Sequence, residues 1–386
     1  MTTFISYSGD RALRVELVYA LRDHGVTPWR DVENLDAGDR TTDTIEAELA
    51  DCSGVILWLN ETVLASLYVA DVELPAIARA ARDRAVRVTP VFDGLTPSEA
   101  AERISRFGIE IGDNNGHVVD PSLANADTAA AIALAHATGE VRAARRSGRP
   151  PIVRLVTYDD TAAHRADAVL NLDWRHRFTG PTLDSGWEHR LRDALAGTTA
   201  AMKATYGATE ITLAVKAHLP IAVALGHAFA EPTGCTIRMA RDDLTYTVGR
   251  AGTDATPLRE APYNKGPIES RAAAVEVAVT RDTEAGVNAY IGAGNRYRER
   301  ILLVPPDGPG RFSLDGSETC NAWARQTSEL VARLAARPDL DRVDLFLACP
   351  VELAVAVGWW ANATGPVQLL NWTGKTGPYA PMWRLP

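Results

Sequence analysis

The chain has 386 residues, enough for two or three domains, each with its own core. Its composition, 46% hydrophobic and 23% charged, is that of an ordinary soluble globular protein. The net charge of -9 argues against a broad basic face for long nucleic acid, yet allows a small anion held by a few local cations.

Residues 3–7 read as a short apolar strand. Asp10 can cap a helix to about residue 24, with Leu13, Leu17, Ala20 and Leu21 on one face. Gly25 ends it, and residues 26–29 form the next strand. Residues 41–50 are helical, with Ile45 and Leu49 inward. Residues 54–59 are a continuous apolar run, as a central parallel strand requires. A helix over about 66–84 and a strand over 86–91 follow. This alternation predicts an α/β fold with a parallel, doubly wound sheet, whose ligands bind at the carboxyl ends of strands. Ser6, Tyr7, Trp29, Arg30 and Asp31 sit at such ends.

Residues 142–151 are basic, small and proline-terminated, and read as a linker. An internal repeat lies beyond. Residues 211–226 align without gaps on 343–358, each a buried strand, a polar elbow and a small-residue helix. Each copy follows a long helix (186–206 and 320–337) and precedes an apolar strand (235–239 and 367–371). Each half opens with a strand ending in threonine, at Thr157 and Thr280. Two copies of this length are not a solenoid; they predict tandem Rossmann-like halves, about 152–265 and 266–386, whose strand ends face one cleft.

The four cysteines, Cys52, Cys235, Cys320 and Cys349, form no Cys-x-x-Cys pair and predict reduced, mostly buried thiols. The eight histidines show no metal-ligand spacing, so no metal is expected. Gly292-Ala293-Gly294 lacks the third glycine of a dinucleotide fingerprint, since Tyr297 stands there. Charges at Asp10, Arg11, Arg14 and Glu16 interrupt any signal-peptide core, and the most apolar stretch, near 353–361, is too short to cross a bilayer. A cytoplasmic protein with no membrane partner is expected.

Phe4-Ile5-Ser6-Tyr7-Ser8, Trp29-Arg30-Asp31, the polar loop Leu35-Asp36-Ala37-Gly38-Asp39 and Tyr68-Val69-Ala70-Asp71-Val72-Glu73-Leu74 occur in that order and spacing. The series resembles a TIR domain, here over 1–141, with a flavodoxin-like parallel sheet. The resemblance implies cleavage of NAD at the nicotinamide–ribose bond, with Glu73 as the essential carboxylate. It implies substrate contacts at Ser6, Tyr7, Trp29, Arg30 and Asp31, and an assembly loop containing Asp36, Gly38 and Asp39. Many such domains place an aromatic four residues before the glutamate, whereas Tyr68 precedes Glu73 by five, which makes Asp71 a competitor.

The duplicated part, with His218-Leu219-Pro220 at one elbow and Cys349-Pro350 at the other, resembles a SAVED domain of two fused CARF-like units, over 152–386. The resemblance implies a sensor for cyclic oligonucleotides, with a cyclic tri-adenylate-like ring as activator. Thr157, Lys216, His218, Thr280, Arg281, Cys349, Pro350, Trp372 and Tyr379 are the candidate ligand residues, and Trp187 a further stacking candidate. Backbone donors, cations and flat rings suit phosphates and bases. Together the parts resemble a TIR-SAVED effector of CBASS anti-phage defence, in which activator binding drives self-association or filaments and NAD is substrate, with no resident cofactor. A non-catalytic TIR scaffold, or a cyclase making a cyclic ADP-ribose isomer, is the alternative.

Overall fold

The computed structural model describes the chain except residues 1, 8–10, 30–40, 85, 112–115, 160–166, 208–209, 231–234, 242–243, 250–254, 295, 311–313, 362–363 and 375–377. The chain divides into two compact units. One comprises Met1–Pro150, His164–Asp173 and Ala200–Thr205; the other comprises Pro151–Ala163, Trp174–Thr199 and Tyr206–Pro386.

The first unit is built on a parallel sheet with strands β1 (Thr2–Ser6), β2 (Thr27–Trp29), β3 (Gly54–Leu59), β4 (Arg87–Phe92) and β5 (His117–Val118). Their order is β2-β1-β3-β4-β5, so the topological switch lies between β1 and β3. Val55, Ile56, Leu57, Trp58 and Leu59 are wholly buried, which is why this strand shows no alternation in sequence. Each such side chain contributes about 1.5–3 kcal/mol of burial free energy. Helices α1 (Arg11–Asp23), α2 (Thr41–Asp51), α3 (Glu61–Ala65), α4 (Leu74–Arg84), α5 (Pro97–Ser105) and α6 (Asn125–Arg146) belong to this unit. Ile45 and Leu49 of α2 point inward, as expected.

Helix α6 docks through a buried polar network that the sequence did not advertise. The Thr3 and Thr89 hydroxyls bond the two ring nitrogens of His136 at 2.9 and 2.8 Å. Arg87 donates to the His136 carbonyl at 2.6 Å and pairs with Glu140 at 3.3 Å. Burial, with the Arg87 cation adding, holds His136 well below the usual imidazole range, so the ring is neutral. The network lies toward the amino ends of β1 and β4, opposite the end carrying Ser6. Its role is packing. Residues 142–146, assigned to the linker from composition, form the last turn of α6, because alanine and arginine are good helix formers. The turn ends before Gly148, whose φ is 73°. Strand β7 (Leu170–Asp173) also belongs to this unit, where Asn171 N donates to the Gly25 carbonyl at 2.7 Å.

The second unit shows the expected duplication. In the first half, β6 (Ile152–Val156) pairs in parallel with β10 (Glu210–Lys216), and β10 with β11 (Thr236–Arg241); β12 (Leu244–Val248) closes the edge antiparallel. A short hairpin, β8 (Phe178–Thr179) and β9 (Thr182–Leu183), precedes α7 (Glu188–Tyr206). The second half is a six-stranded sheet of β13 (Arg259–Lys265), β14 (Ala272–Ala278), β15 (Glu299–Val304), β16 (Arg342–Ala348), β17 (Val367–Trp372) and β18 (Tyr379–Leu385), in the order β13-β15-β14-β16-β17-β18. Its interior strands are parallel and its edges antiparallel. The sheet therefore takes in β13, a strand earlier than the expected boundary at 266.

Helices α8 (Leu219–Ala228) and α11 (Val351–Trp360) are the repeat helices, and α9 (Glu284–Gly292) and α10 (Ser317–Ala335) complete the second half. Both repeat helices are apolar nearly all round because they are buried nearly all round. They cross at glycines placed reciprocally. A Cβ at Gly226 would stand 1.9 Å from the Val355 carbonyl oxygen, and a Cβ at Gly358 would stand 1.9 Å from that of Val223. These are the same positions in the two copies of the repeat, so a pseudo-two-fold axis runs through the crossing. Among the described residues, no helix is long and apolar enough to cross a membrane.

Gly358→Ala should cost about 1–3 kcal/mol in denaturant unfolding, because the added methyl meets backbone that cannot rotate away. Gly292→Ala, where a Cβ meets open space, should stay within about 0.5 kcal/mol of wild type.

Candidate functional site

In the first unit the site is built at the switch point. Ser6 ends β1 and is fully buried; its hydroxyl donates to Glu73 Oε2 at 2.5 Å. Glu73 itself is 7% exposed and faces the sheet, while its competitor Asp71 is exposed. The backbone explains why. The expected continuous helix is interrupted: α3 ends, then a π-helical turn spans Val69–Glu73 before α4 begins. Leu74 N–H bonds the Val69 carbonyl, five residues back. A π-turn holds one residue more than an α-turn, and turns of this kind recur at functional sites. The extra residue absorbs the five-residue spacing from Tyr68 to Glu73 and turns the glutamate toward the sheet.

Neighbouring groups extend this end of the sheet. Tyr7 meets Trp58 edge to face, with centroids 4.8 Å apart. Trp58 Nε1 and Asn60 Nδ2 both donate to Asp93 Oδ2, at 3.0 and 3.2 Å. Sequence inspection missed Trp58 and Asp93; the position of each just at or beyond a parallel strand end was the available signal. Trp29, expected to offer a stacking face to substrate, is 6% exposed and stacks on Phe4 at 5.2 Å. Its ring faces the core because β2 is an edge strand that must bury its one large side chain. Arg30, Asp31, Asp36, Gly38 and Asp39 lie outside the described residues.

In the second unit the two elbows are built alike. Thr157 N–H donates to the Lys216 carbonyl at 3.1 Å, and Thr280 N–H donates to the Ala348 carbonyl, the equivalent position, at 2.8 Å. His218 and Pro350 then occupy the N-cap positions of α8 and α11. At the first elbow, His218 stacks on Phe178 at 4.8 Å and meets Tyr158 edge-on at 5.3 Å. Burial lowers the His218 pKa to about 4. Lys216 Nζ lies 5.7 Å from the Tyr158 ring centroid. At the second elbow, exposed Arg281 lies flat over Trp372, 3.4 Å from its centroid, and no carboxylate pairs with it among the described residues.

The β8–β9 hairpin joins the elbows. Phe178 is the stacking partner of His218, and the Pro181 carbonyl accepts from Asn371 Nδ2 at 2.8 Å, next to Trp372. Arg177 packs over Trp187 at 3.4 Å, giving this elbow its own cation-on-indole pair. The hairpin thus touches His218 at the first elbow and Asn371, next to Trp372, at the second, and the elbows carry aromatic faces and cations suited to a nucleotide.

Other expected ligand residues at the second elbow are buried or already paired. Tyr379 is 2% exposed, edge-on to Phe346 at 5.0 Å, and burial pushes its pKa up to about 12. It is core because β18 folds back antiparallel on β17. Cys349 and Pro350 are buried, and burial raises the thiol, so Cys349 is inert. The Thr280 hydroxyl is spent on the Ala348 carbonyl at 3.0 Å. All four cysteines are buried and free, and among the described residues no cluster of metal-ligating side chains occurs.

The family model for the SMODS-associated and fused to various effectors sensor domain, SAVED, matches residues 191–385, just over half of the chain. The TIR domain model matches residues 3–113. The chain belongs to the SAVED family and carries a TIR domain ahead of its sensor. No curated protein matches it. Among solved structures, the Acinetobacter baumannii Cap4 SAVED/CARF-domain containing receptor with the cyclic trinucleotide 3'3'3'-cAAA is 11% identical, with TM-score 0.48, over 98% of this chain and 99% of that one. The Moraxella osloensis Cap4 receptor is 13% identical, with TM-score 0.44, over 97% and 98%. TIR domains of the activated Roq1 resistosome are 15% identical, with TM-score 0.31, over 34% of this chain and 96% of that one.

Because the Trp29 ring is core, Trp29→Ala should lower unfolding stability of the first unit by about 3–5 kcal/mol. Trp29→Phe, which keeps an aromatic stacked on Phe4, should cost much less. Denaturant unfolding followed by tryptophan fluorescence measures both.

Proposed function

We propose that this protein is a cyclic-oligonucleotide-gated NAD glycohydrolase, releasing nicotinamide and ADP-ribose and depleting NAD in anti-phage defence. The observation that carries the proposal is the Glu73 carboxylate, buried at the switch point of a parallel sheet and held there by Ser6.

The chemistry suits that carboxylate. In NAD a cationic nicotinamide ring is bonded to the anomeric carbon of ribose. The ring departs as a neutral molecule, so no general acid is needed. Positive charge builds on the sugar as an oxocarbenium-like state, as in glycoside hydrolysis. A fixed anion beside the ribose stabilises that charge more than the ground state, and the Ser6 hydroxyl keeps the anion from rotating away. Water bonds to the anomeric carbon as the bond to nicotinamide breaks, and releases one proton to solvent, which completes hydrolysis. Attack by the adenine of the same molecule would instead cyclise it, and product analysis separates the two outcomes.

The sensor supports gating. Lys216 and Arg281 offer cations, and Phe178, His218 and Trp372 offer rings, around a hairpin shared by both halves. That set matches a small ring of phosphates and bases better than long nucleic acid, consistent with the net charge of -9. In this reading the ring drives self-association of the cytoplasmic protein, and association switches the TIR domain on.

Purified protein with NAD should release nicotinamide only when a cyclic oligonucleotide is added, cyclic tri-adenylate being the first to try. Glu73→Gln should lower the rate by about 100-fold or more while binding the ring normally. An unchanged rate in Glu73→Gln, or no release with any cyclic di-, tri- or tetranucleotide, would overturn the proposal.

A further inference from the structure

Thr157 was expected to touch ligand. Its geometry assigns it a different task. The side chain is 1% exposed. Its Oγ1 accepts from the His218 backbone N–H at 2.9 Å and lies 2.7 Å from His218 Nδ1. Among the described residues the hydroxyl has no other partner. A hydroxyl has one proton to give, and a buried donor left without an acceptor costs about 1–3 kcal/mol. The only arrangement that satisfies every group has the Thr157 O–H donating to Nδ1. Nδ1 is then bare, and the imidazole proton is on Nε2.

The ring around that proton is held on two sides. Phe178 stacks parallel to it, at an interplanar angle of 15°, and Tyr158 stands edge-on at 74°. Nε2 makes no bond to any described residue, and it is absent from the sealed polar atoms of the interior. The lowered pKa of His218, caused by burial, keeps the ring uncharged at pH 7. The second half has no counterpart: Pro350 stands where His218 does, and the Thr280 hydroxyl donates to a backbone carbonyl.

We propose that His218 Nε2–H is a fixed neutral donor to an acceptor atom of the bound cyclic nucleotide, and that Thr157 is the positioning residue that sets its tautomer. This rests on the sensor reading above. The donor exists in one half only, so it breaks the pseudo-two-fold symmetry of the site. A ring of identical units then docks with unlike contacts on its two sides. Phosphate oxygens and base nitrogens are both acceptors of the required kind.

Nitrogen-15 NMR of the full chain at pH 7 tests the tautomer without any ligand, His218→Phe identifying the signal among eight histidines. Wild type and Thr157→Ser should show protonated Nε2 and bare Nδ1. Thr157→Val, close in shape but without the hydroxyl, should shift the ring toward a mixture of tautomers. For cyclic tri-adenylate, Thr157→Val and His218→Phe should weaken binding at least tenfold, and Thr157→Ser should restore it. Phosphorothioate and 3-deaza- or 7-deaza-adenine rings then separate the acceptors: only one substitution should erase the difference between wild type and His218→Phe. A protonated Nδ1 in wild type overturns the proposal. So does unchanged binding in both His218→Phe and Thr157→Val while Arg281→Ala binds weakly, an outcome that leaves the sensor reading intact. If wild type binds no cyclic di-, tri- or tetranucleotide, the sensor reading and the ligand role of His218 fall together, whatever tautomer the spectra show.

Discussion

Two glycines set the geometry of the sensor. At Gly226 and Gly358 the repeat helices approach so closely that any side chain would overlap backbone of the other helix. The contact is reciprocal, so it constrains each half by the other. It fixes how α8 and α11 lie against each other, and each of these helices begins at an elbow. Close packing of apolar helices is insensitive to small changes in side-chain shape but intolerant of added volume at the crossing. The elbow residues can thus diverge between halves while the frame that carries them stays symmetric. That is what the elbows show: histidine and lysine on one side, arginine on tryptophan on the other.

The first unit solves a different problem. In the proposed reaction the carboxylate beside the sugar must be shielded from water and held in place. The protein places it where a parallel sheet leaves its crevice, and gives it one hydroxyl partner from β1. The π-turn aims it. The opposite end of the same sheet carries the His136–Arg87–Glu140 network, which ties α6 down. One sheet thus carries a packing network at its amino ends and the Ser6–Glu73 pair at its carboxyl ends.

Much of this was legible in the sequence, for physical reasons. Period and apolar runs marked β1, β3, β10 and β16: β3 and β16 are buried along nearly their whole length and so are continuously hydrophobic, while β10 is buried only at Ile211 and Leu213. The gapless alignment of 211–226 on 343–358 gave the duplication, and both glycines of the crossing lie at its last column. What stayed hidden depended on long-range pairing. The edge strands β12, β13 and β18 are defined by partners, not by pattern. The burial of Trp29 and Tyr379 follows from which face their strands present, which one residue of register decides. The π-turn left only an odd spacing, Tyr68 to Glu73, and that trace made sense only once the backbone was in view. Thr157 and His218 could be named as candidate site residues, but the pairing of the hydroxyl with the imidazole came only from the folded chain.

In the proposed reading the two elbows, carried by the crossing helices, form a single ligand site. Titration calorimetry of the intact protein with cyclic tri-adenylate tests it most directly. The account predicts one ring per chain, with Arg281→Ala and His218→Phe each weakening that one binding event. Two independent rings per chain, one lost with each substitution, would contradict it.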